Sequence, residues 1–231
     1  MVSTIALPSK GRIGAALAQR LPELGLYYTN PNPRCYQNVF KGYPNVMVRL
    51  MPAEAVARSL VRGEVDFGLT GLDLVSELSL NGGVVSLEMC GRHALAQADV
   101  SVLVPSCWVD FKCLLDLGLL SLIKNVRVAT KYVNLARTFF EANQLDFLEV
   151  FRSESVVELE PFTGKSDFIV DIVSTGATGR DNGLKCLDGG NILSSSLCSF
   201  YNTGRSLSGE LKELIQVLSG LSAQPLAAAV F

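Results

Sequence analysis

The chain has 231 residues, 48% of them hydrophobic, enough apolar material for one large or two modest packed domains and too much for a disordered segment. A formal net charge of −2 and the lack of any Lys/Arg run leave no basic surplus to neutralise a nucleic-acid backbone. No stretch approaches the roughly eighteen uninterrupted apolar residues of a membrane span, and Met1-Val2-Ser3-Thr4-Ile5 enters a strand without the basic and apolar regions of a signal peptide.

The first unit reads as a short buried strand at 4–7, then the loop Pro8-Ser9-Lys10-Gly11-Arg12, then a helical pattern over 13–24. An ammonium and a guanidinium beside a helix start suit a pyrophosphate. The macrodipole disfavours cations at that end, so a packing reason for Lys10 is hard to find. The Gly-x4-Gly-Lys-Ser/Thr spacing of a Walker loop is absent. A strand follows at 46–50, with Pro52 at the first helical position and Gly63 as the stop. Ala53, Val56, Ala57, Leu60 and Val61 fall on one helical face between them. The next strand, 67–70, carries Gly71-Leu72-Asp73 at its carboxyl end. Strands are predicted at 84–89 and 100–104, and a helix apolar on most sides at 111–123. After a strand at 127–130, Thr130 or Lys131 opens a helix that buries Leu135, Ala136, Phe139 and Phe140. A strand at 146–151 and a short helix at 155–160 complete the middle of the chain.

The stretch Asp167-Phe168-Ile169-Val170-Asp171-Ile172-Val173-Ser174-Thr175-Gly176-Ala177-Thr178 then runs from an apolar strand into hydroxyls around a glycine. If a helix starts there, backbone N–H groups, hydroxyls and the helix N-terminus make a phosphate cradle. Asp171, near the carboxyl end of the strand, is placed to accept from ribose hydroxyls. An ordinary capped strand-to-helix turn fits the same residues. The basic loop at the other end of the chain favours the cradle, because two phosphate-type loops suggest a ligand with two separated phosphate groups. An edge strand at 192–201 and an amphipathic helix through Leu207, Leu211, Leu214, Ile215 and Leu218, ended by Gly220, close the pattern. Strands alternating with helices give an α/β architecture. Cys35, Cys90, Cys107, Cys113, Cys186 and Cys198 form no Cys-x-x-Cys pair and read as buried thiols of a reducing compartment. The single histidine, His93, excludes a His-rich metal centre and reads as a half-buried, hydrogen-bonded side chain.

Five segments in order resemble the ATP phosphoribosyltransferase family, from Thr4 to about Gly220. They are the 7–12 loop, Val48-Arg49-Leu50-Met51-Pro52, the 63–73 segment, the run Arg127-Val128-Ala129-Thr130-Lys131-Tyr132-Val133-Asn134-Leu135-Ala136-Arg137, and Glu158-Leu159-Glu160-Pro161 with Gly164, Asp167 and the 171–178 loop. The resemblance implies a two-lobed fold like the type II periplasmic binding proteins, with mixed sheets and flanking helices. Lobe I would take residues 1–90 and 166–231, with both the cradle and the Lys-Gly-Arg loop, and lobe II residues 91–165. It also implies the reaction: adenine N1 of ATP attacks C1 of phosphoribosyl pyrophosphate, giving phosphoribosyl-ATP and pyrophosphate in the first step of histidine biosynthesis. Such a reaction needs no protein nucleophile, only aligned anionic substrates, a neutralised leaving group and support for a cationic ribosyl transition state.

In those terms Lys10, Arg12 and Asp171 are the expected catalytic residues. Ser174, Thr175, Gly176, Ala177 and Thr178 would hold the 5-phosphate, and Asp171 the ribose hydroxyls. Gly11 and Arg49 join Lys10 and Arg12 at the pyrophosphate or ATP phosphates, and Asp73 and Glu158 contact ribose, adenine or magnesium. Plainer roles exist: Arg49 as a solvated strand end, Asp73 as a helix cap, Glu158 in a surface pair. Mg²⁺ is implied through the substrate phosphates. Glu160, Val133 and Gly179 depart from the family pattern, and Cys90-Gly91-Arg92-His93 matches it poorly. Residues 221–231 are too few for the regulatory domain of long members, which implies a homo-oligomer (a dimer or larger), self-associating through the last helix and the tail. Short members look to a separate subunit resembling histidyl-tRNA synthetase. The expected compartment is the cytoplasm, or a plastid stroma in a photosynthetic eukaryote. A solute-binding protein of the same fold and an inactive regulatory paralogue are the competing readings.

Overall fold

The computed structural model describes residues 2–30, 32, 34–80, 86–174 and 177–222. The chain divides into two compact units, Met1–Ala96 with Ser196–Phe231, and Gln97–Ser195.

The first unit holds β1 (Ser3–Pro8), α1 (Gly11–Glu23), β2 (Gln37–Val39), β3 (Val46–Met51), α2 (Ala53–Val61), β4 (Phe67–Gly71), α3 (Leu72–Ser79) and β5 (Leu87–Arg92). The second holds β6 (Ala98–Pro105), α4 (Leu114–Ser121), β7 (Arg127–Thr130), α5 (Val133–Ala142), β8 (Glu149–Arg152), a 3-10 segment (Val157–Thr163), β9 (Phe168–Val173), α6 (Ala177–Asp181) and β10 (Leu184–Ser195). The chain then returns to the first unit for β11 (Leu197–Asn202) and α7 (Gly209–Ser219).

The first sheet has the order β2-β3-β1-β4-β11-β5. Its centre is parallel: β1 pairs with β3 from Ser3↔Val46 to Pro8↔Met51 and with β4 at Ile5↔Phe67. Strands covered on both faces must be apolar throughout, and the two-residue period sorts their side chains. Ile5 and Leu7 pack with Leu17 and Leu21 of α1 and Leu211 and Leu214 of α7, whereas Ala6 packs with Val56, Ala57 and Leu60 of α2. β11 runs antiparallel between β4 and β5. The second sheet, β10-β6-β9-β7-β8, is also mixed: β6 is antiparallel to β9 and β10, while β7 is parallel to β8 and β9. Phe140 of α5 meets Phe168 of β9 edge to face, centroids 6.2 Å apart.

Several expectations are corrected. The cradle strand β9 belongs to the second unit, not with the Lys-Gly-Arg loop, because it pairs with β6 and β7; the unit boundaries lie at Ala96 and Ser196 rather than 90 and 166. The single edge strand expected at 192–201 is the end of β10 and most of β11, in different sheets, with β11 interior. The strand expected at 84–89 is β5, with residues 84 and 85 outside the described chain. In α5 only Ala136 and Phe140 are fully buried, and the short helix at 155–160 is the 3-10 segment. The last helix is not left uncovered: Leu211, Leu214 and Leu218 sit in the core. The uncovered face is on α4, where only Leu117 is buried while Leu115 is 81% and Leu122 80% exposed. Among the described residues no helix is long and apolar enough to cross a membrane.

Candidate active site

In the first unit the Ser9 N–H donates to the Met51 carbonyl at 2.9 Å, tying the loop after β1 to the end of β3. Lys10 takes the N-cap position of α1 in extended conformation, φ −155° and ψ 175°, with no side-chain cap bond. An ammonium has no lone pair to offer the free N–H groups there, so the cap is left open. Gly11 follows at φ +74°, a left-handed turn that other residues adopt only under strain. Arg12 carries a buried Nη1 with no hydrogen-bond partner among the described residues. Arg49 lies in β3 opposite Ala6 and Gln37 and, among the described residues, makes no ion pair. Cations thus lie in and after the carboxyl halves of two parallel strands, where α/β sheets bind ligands.

Asp73 sits in the first turn of α3, only 2% exposed, and its carboxylate folds over Gly71: a Cβ there would lie 2.3 Å from Asp73 Oδ1. A carboxylate at a helix N-terminus is favourable in its own right. The expected substrate contact from Asp73 therefore starts from a buried side chain.

In the second unit Phe168, Ile169 and Val170 bury β9, and Asp171 follows, partly buried, opposite Ser101 of β6. Burial pushes the Asp171 carboxyl up to about 6; repulsion from Glu158 adds to this, while its backbone contact at Ile172 and the Lys131 charge oppose it. The charges of Glu158 and Lys131 thus both act on Asp171 in the carboxyl half of β9. Lys131 was not among the expected site residues, although its place directly after the strand Arg127–Thr130 was the signal for it. Ser174 is exposed at the end of β9. Thr175 and Gly176 lie outside the described residues; Ala177 and Thr178 open α6 by backbone. Gly179 packs closely on β6, its missing Cβ 3.1 Å from Leu103 Cδ2.

Glu160, 4% exposed, accepts hydrogen bonds from the Ser153 and Ser155 hydroxyls. His93 is 2% exposed, more buried than expected, with Nε2 3.2 Å from the Ser199 hydroxyl, and burial holds its pKa below the usual imidazole value. The thiols are mostly not buried: Cys90, Cys107 and Cys186 are exposed, and only Cys198 is enclosed. Among the described residues no group of three His, Cys, Asp or Glu side chains could cage a metal.

The family model described as HisG: ATP phosphoribosyltransferase matches residues 52–220. An ATP phosphoribosyltransferase of Agrobacterium fabrum is 37% identical over 203 residues, covering 84% of this chain and 88% of that protein. The chain belongs to the ATP phosphoribosyltransferase family. A relative of the same name from Rhodopseudomonas palustris is 34% identical over 221 residues, 93% of this chain and 68% of its own length. Among solved structures, the ATP phosphoribosyl transferase (HisG:HisZ) complex from Thermotoga maritima matches with a TM-score of 0.71 at 22% identity, covering 96% of each chain. The alkanesulfonate-binding protein SsuA from Xanthomonas axonopodis pv. citri, bound to MOPS, matches at 0.56 and 13% identity, over 95% of this chain and 72% of its own. Both place the fold among the two-lobed periplasmic-binding-protein architectures. As an ATP phosphoribosyltransferase the chain is a pentosyltransferase of the first step of histidine biosynthesis, and the solute-binding reading falls.

Proposed function

We propose that phosphoribosyl pyrophosphate binds at the carboxyl end of β9 and that the Lys10-Gly11-Arg12 loop receives the phosphates of ATP or the departing pyrophosphate. The observation that carries this is Asp171, partly buried near the end of β9 and under the opposing charges of Glu158 and Lys131. As a carboxylate it accepts from the ribose hydroxyls, which fixes C1 for attack by adenine N1. Ser174, Thr175, Gly176, Ala177 and Thr178 supply hydroxyls and backbone N–H groups to the 5-phosphate. Glu158, whose charge acts on Asp171, would stabilise positive charge developing on the ribosyl ring. Arg12 offers its unpartnered Nη1 to a phosphate oxygen, and Lys10 and Arg49 add charge as the C1–O bond breaks and pyrophosphate takes the electron pair. Asp73 holds the Gly71 turn and reaches substrate only if that turn opens.

Mg²⁺ is part of this reading. The described donors suit an ion carried by phosphates, since Mg²⁺ keeps its waters and borrows substrate oxygens; it would neutralise the pyrophosphate. The chain is further proposed to act in the cytoplasm as a homo-oligomer, dimer or larger, working alone or with a subunit like the one named in the Thermotoga complex. The exposed leucines of α4 support self-association.

The test is release of pyrophosphate and formation of phosphoribosyl-ATP from the two substrates with Mg²⁺, for the parent and for Lys10→Ala, Arg12→Met and Asp171→Asn. A parent that binds both substrates but never turns over would favour the inactive paralogue.

A further inference from the structure

Within the first unit, α1 and residues 27–30 and 32 line a cavity of about 540 Å³ that the proposed steps of the reaction do not use. Small-molecule sites span roughly 300–1,000 Å³. The floor is aliphatic, formed by Leu7 of β1, Leu17 and Leu21 of α1, Leu26 and Leu50. The rim is polar, formed by Tyr28, Asn30, Asn32 and Lys41, and no Asp or Glu lines the cavity.

The wall is built by part-buried hydrogen bonds around the buried Asn38. Asn38, 5% exposed, accepts from the Asn30 N–H at 3.1 Å and the Thr29 hydroxyl at 3.2 Å, and donates to the Asn30 carbonyl at 2.6 Å. Tyr28 is stacked on Phe40, centroids 4.8 Å apart. Its hydroxyl makes no hydrogen bond to the protein among the described residues, and burial pushes its pKa up to about 12, so it stays a neutral donor. The side-chain oxygens of Asn30 and Asn32 are engaged by the Asn32 and Arg34 N–H groups, which leaves their amide N–H groups to the rim. Among the described residues the Lys41 ammonium has no acidic partner. The rim therefore offers donors and positive charge, with no carboxylate to receive a cation.

We propose that this cavity binds a small planar apolar molecule carrying a carboxylate, its ring on the leucines and its head toward Lys41 and the Tyr28 hydroxyl. An ammonium on the ligand would be desolvated without a partner, so cationic and zwitterionic analogues are rejected. Pro8 and Ser9, directly before Lys10, line the same cavity, as does Gly14 of α1. Occupancy is thereby coupled to the phosphate loop, a consequence that rests on the function proposed above.

Isothermal titration of the full chain with indole-3-acetate, tryptamine and tryptophan tests the site. Indole-3-acetate should bind at least about tenfold more tightly than either amine-bearing analogue. Lys41→Met should weaken it about fivefold or more. Ala18→Trp, at the exposed mouth, should abolish binding while thermal unfolding stays unchanged. Equal binding of tryptamine, undiminished binding to folded Ala18→Trp, or no binding at millimolar concentration would overturn the proposal. Saturating indole-3-acetate should change the ATP affinity about threefold or more, and ATP should change indole-3-acetate affinity by the same factor. An unchanged ATP affinity overturns the coupling. A chain that binds indole-3-acetate but never ATP counts against the nucleotide reading and leaves the cavity standing.

Discussion

In the proposed site, Asp171 would serve binding at the expense of stability. Its carboxyl is raised from 3.8 to about 6, so the folded chain holds a proton that the unfolded chain releases. The stability from that proton is fully present below about pH 4 and is lost as pH rises through 6, a swing of up to about 3 kcal/mol. We expect Asp171→Asn to stabilise the ligand-free protein at pH 8 by about 1–3 kcal/mol in urea unfolding and to abolish tight binding of phosphoribosyl pyrophosphate. Parent affinity should fall about tenfold per pH unit below 6 as the carboxylate is lost, and the Asn variant should show no such slope. Equilibrium titration at pH 5 and 7.5 checks this. Arg12 presents the same opposition: its buried Nη1 has no partner, a state that costs about 1–3 kcal/mol. Arg12→Met should therefore raise the unfolding midpoint while weakening ATP or pyrophosphate binding at least about tenfold. A loss of both stability and affinity would make Arg12 a packing residue.

At the scale of elements, the joint between β1 and α1 turns on Gly11. With φ +74° and no atom within 4 Å of a built Cβ, Gly11→Ala meets backbone strain alone, about 1–2 kcal/mol. Denaturant unfolding should report that loss together with a lower kcat/KM, since the loop would relax away from its helix. Helices α4 and α7 make a second comparison. Leu214→Ala in α7 should cost about 2–5 kcal/mol, because that side chain is fully buried among α1 and the first sheet. Leu119→Ser in α4, starting from a side chain 65% exposed, should change stability by less than about 0.5 kcal/mol. The periodicity of both helices was legible, but which one the core would cover was not. A mostly apolar helix such as Leu114–Ser121 has no polar face to mark its outside, so only packing shows that Leu117 points in and Leu115 out.

For the whole molecule, the stripe Leu115, Leu119, Leu122 and Ile123 follows helical spacing and is 65–81% exposed, which suits an oligomer better than a lone chain. Sedimentation velocity should show a dimer or larger for the parent and a weaker assembly for Leu119→Glu combined with Leu122→Glu. A monomeric parent would remove oligomerisation from the proposal. The two phosphate-type loops lie in different compact units, a placement that no run of residues announces. Whether β9 pairs within the first or the second sheet depends on competition among strands far apart in sequence, and its own pattern of apolar residues fits either.

The sequence by itself determined the alternating α/β plan, the ends of β1 and β4 to within one residue, and the ordered motifs that mark the family. These are local properties: apolar runs, turn glycines and charges next to them. The tertiary structure alone decided the unit boundaries, the burial of Asp73, and the burial that raises the Asp171 carboxyl. It also decided that three of the six thiols lie open and only one is buried, and that α7 rather than α4 is covered. Each of these depends on what comes close in space, and closeness between distant residues is fixed by which pairings and packings win over their competitors.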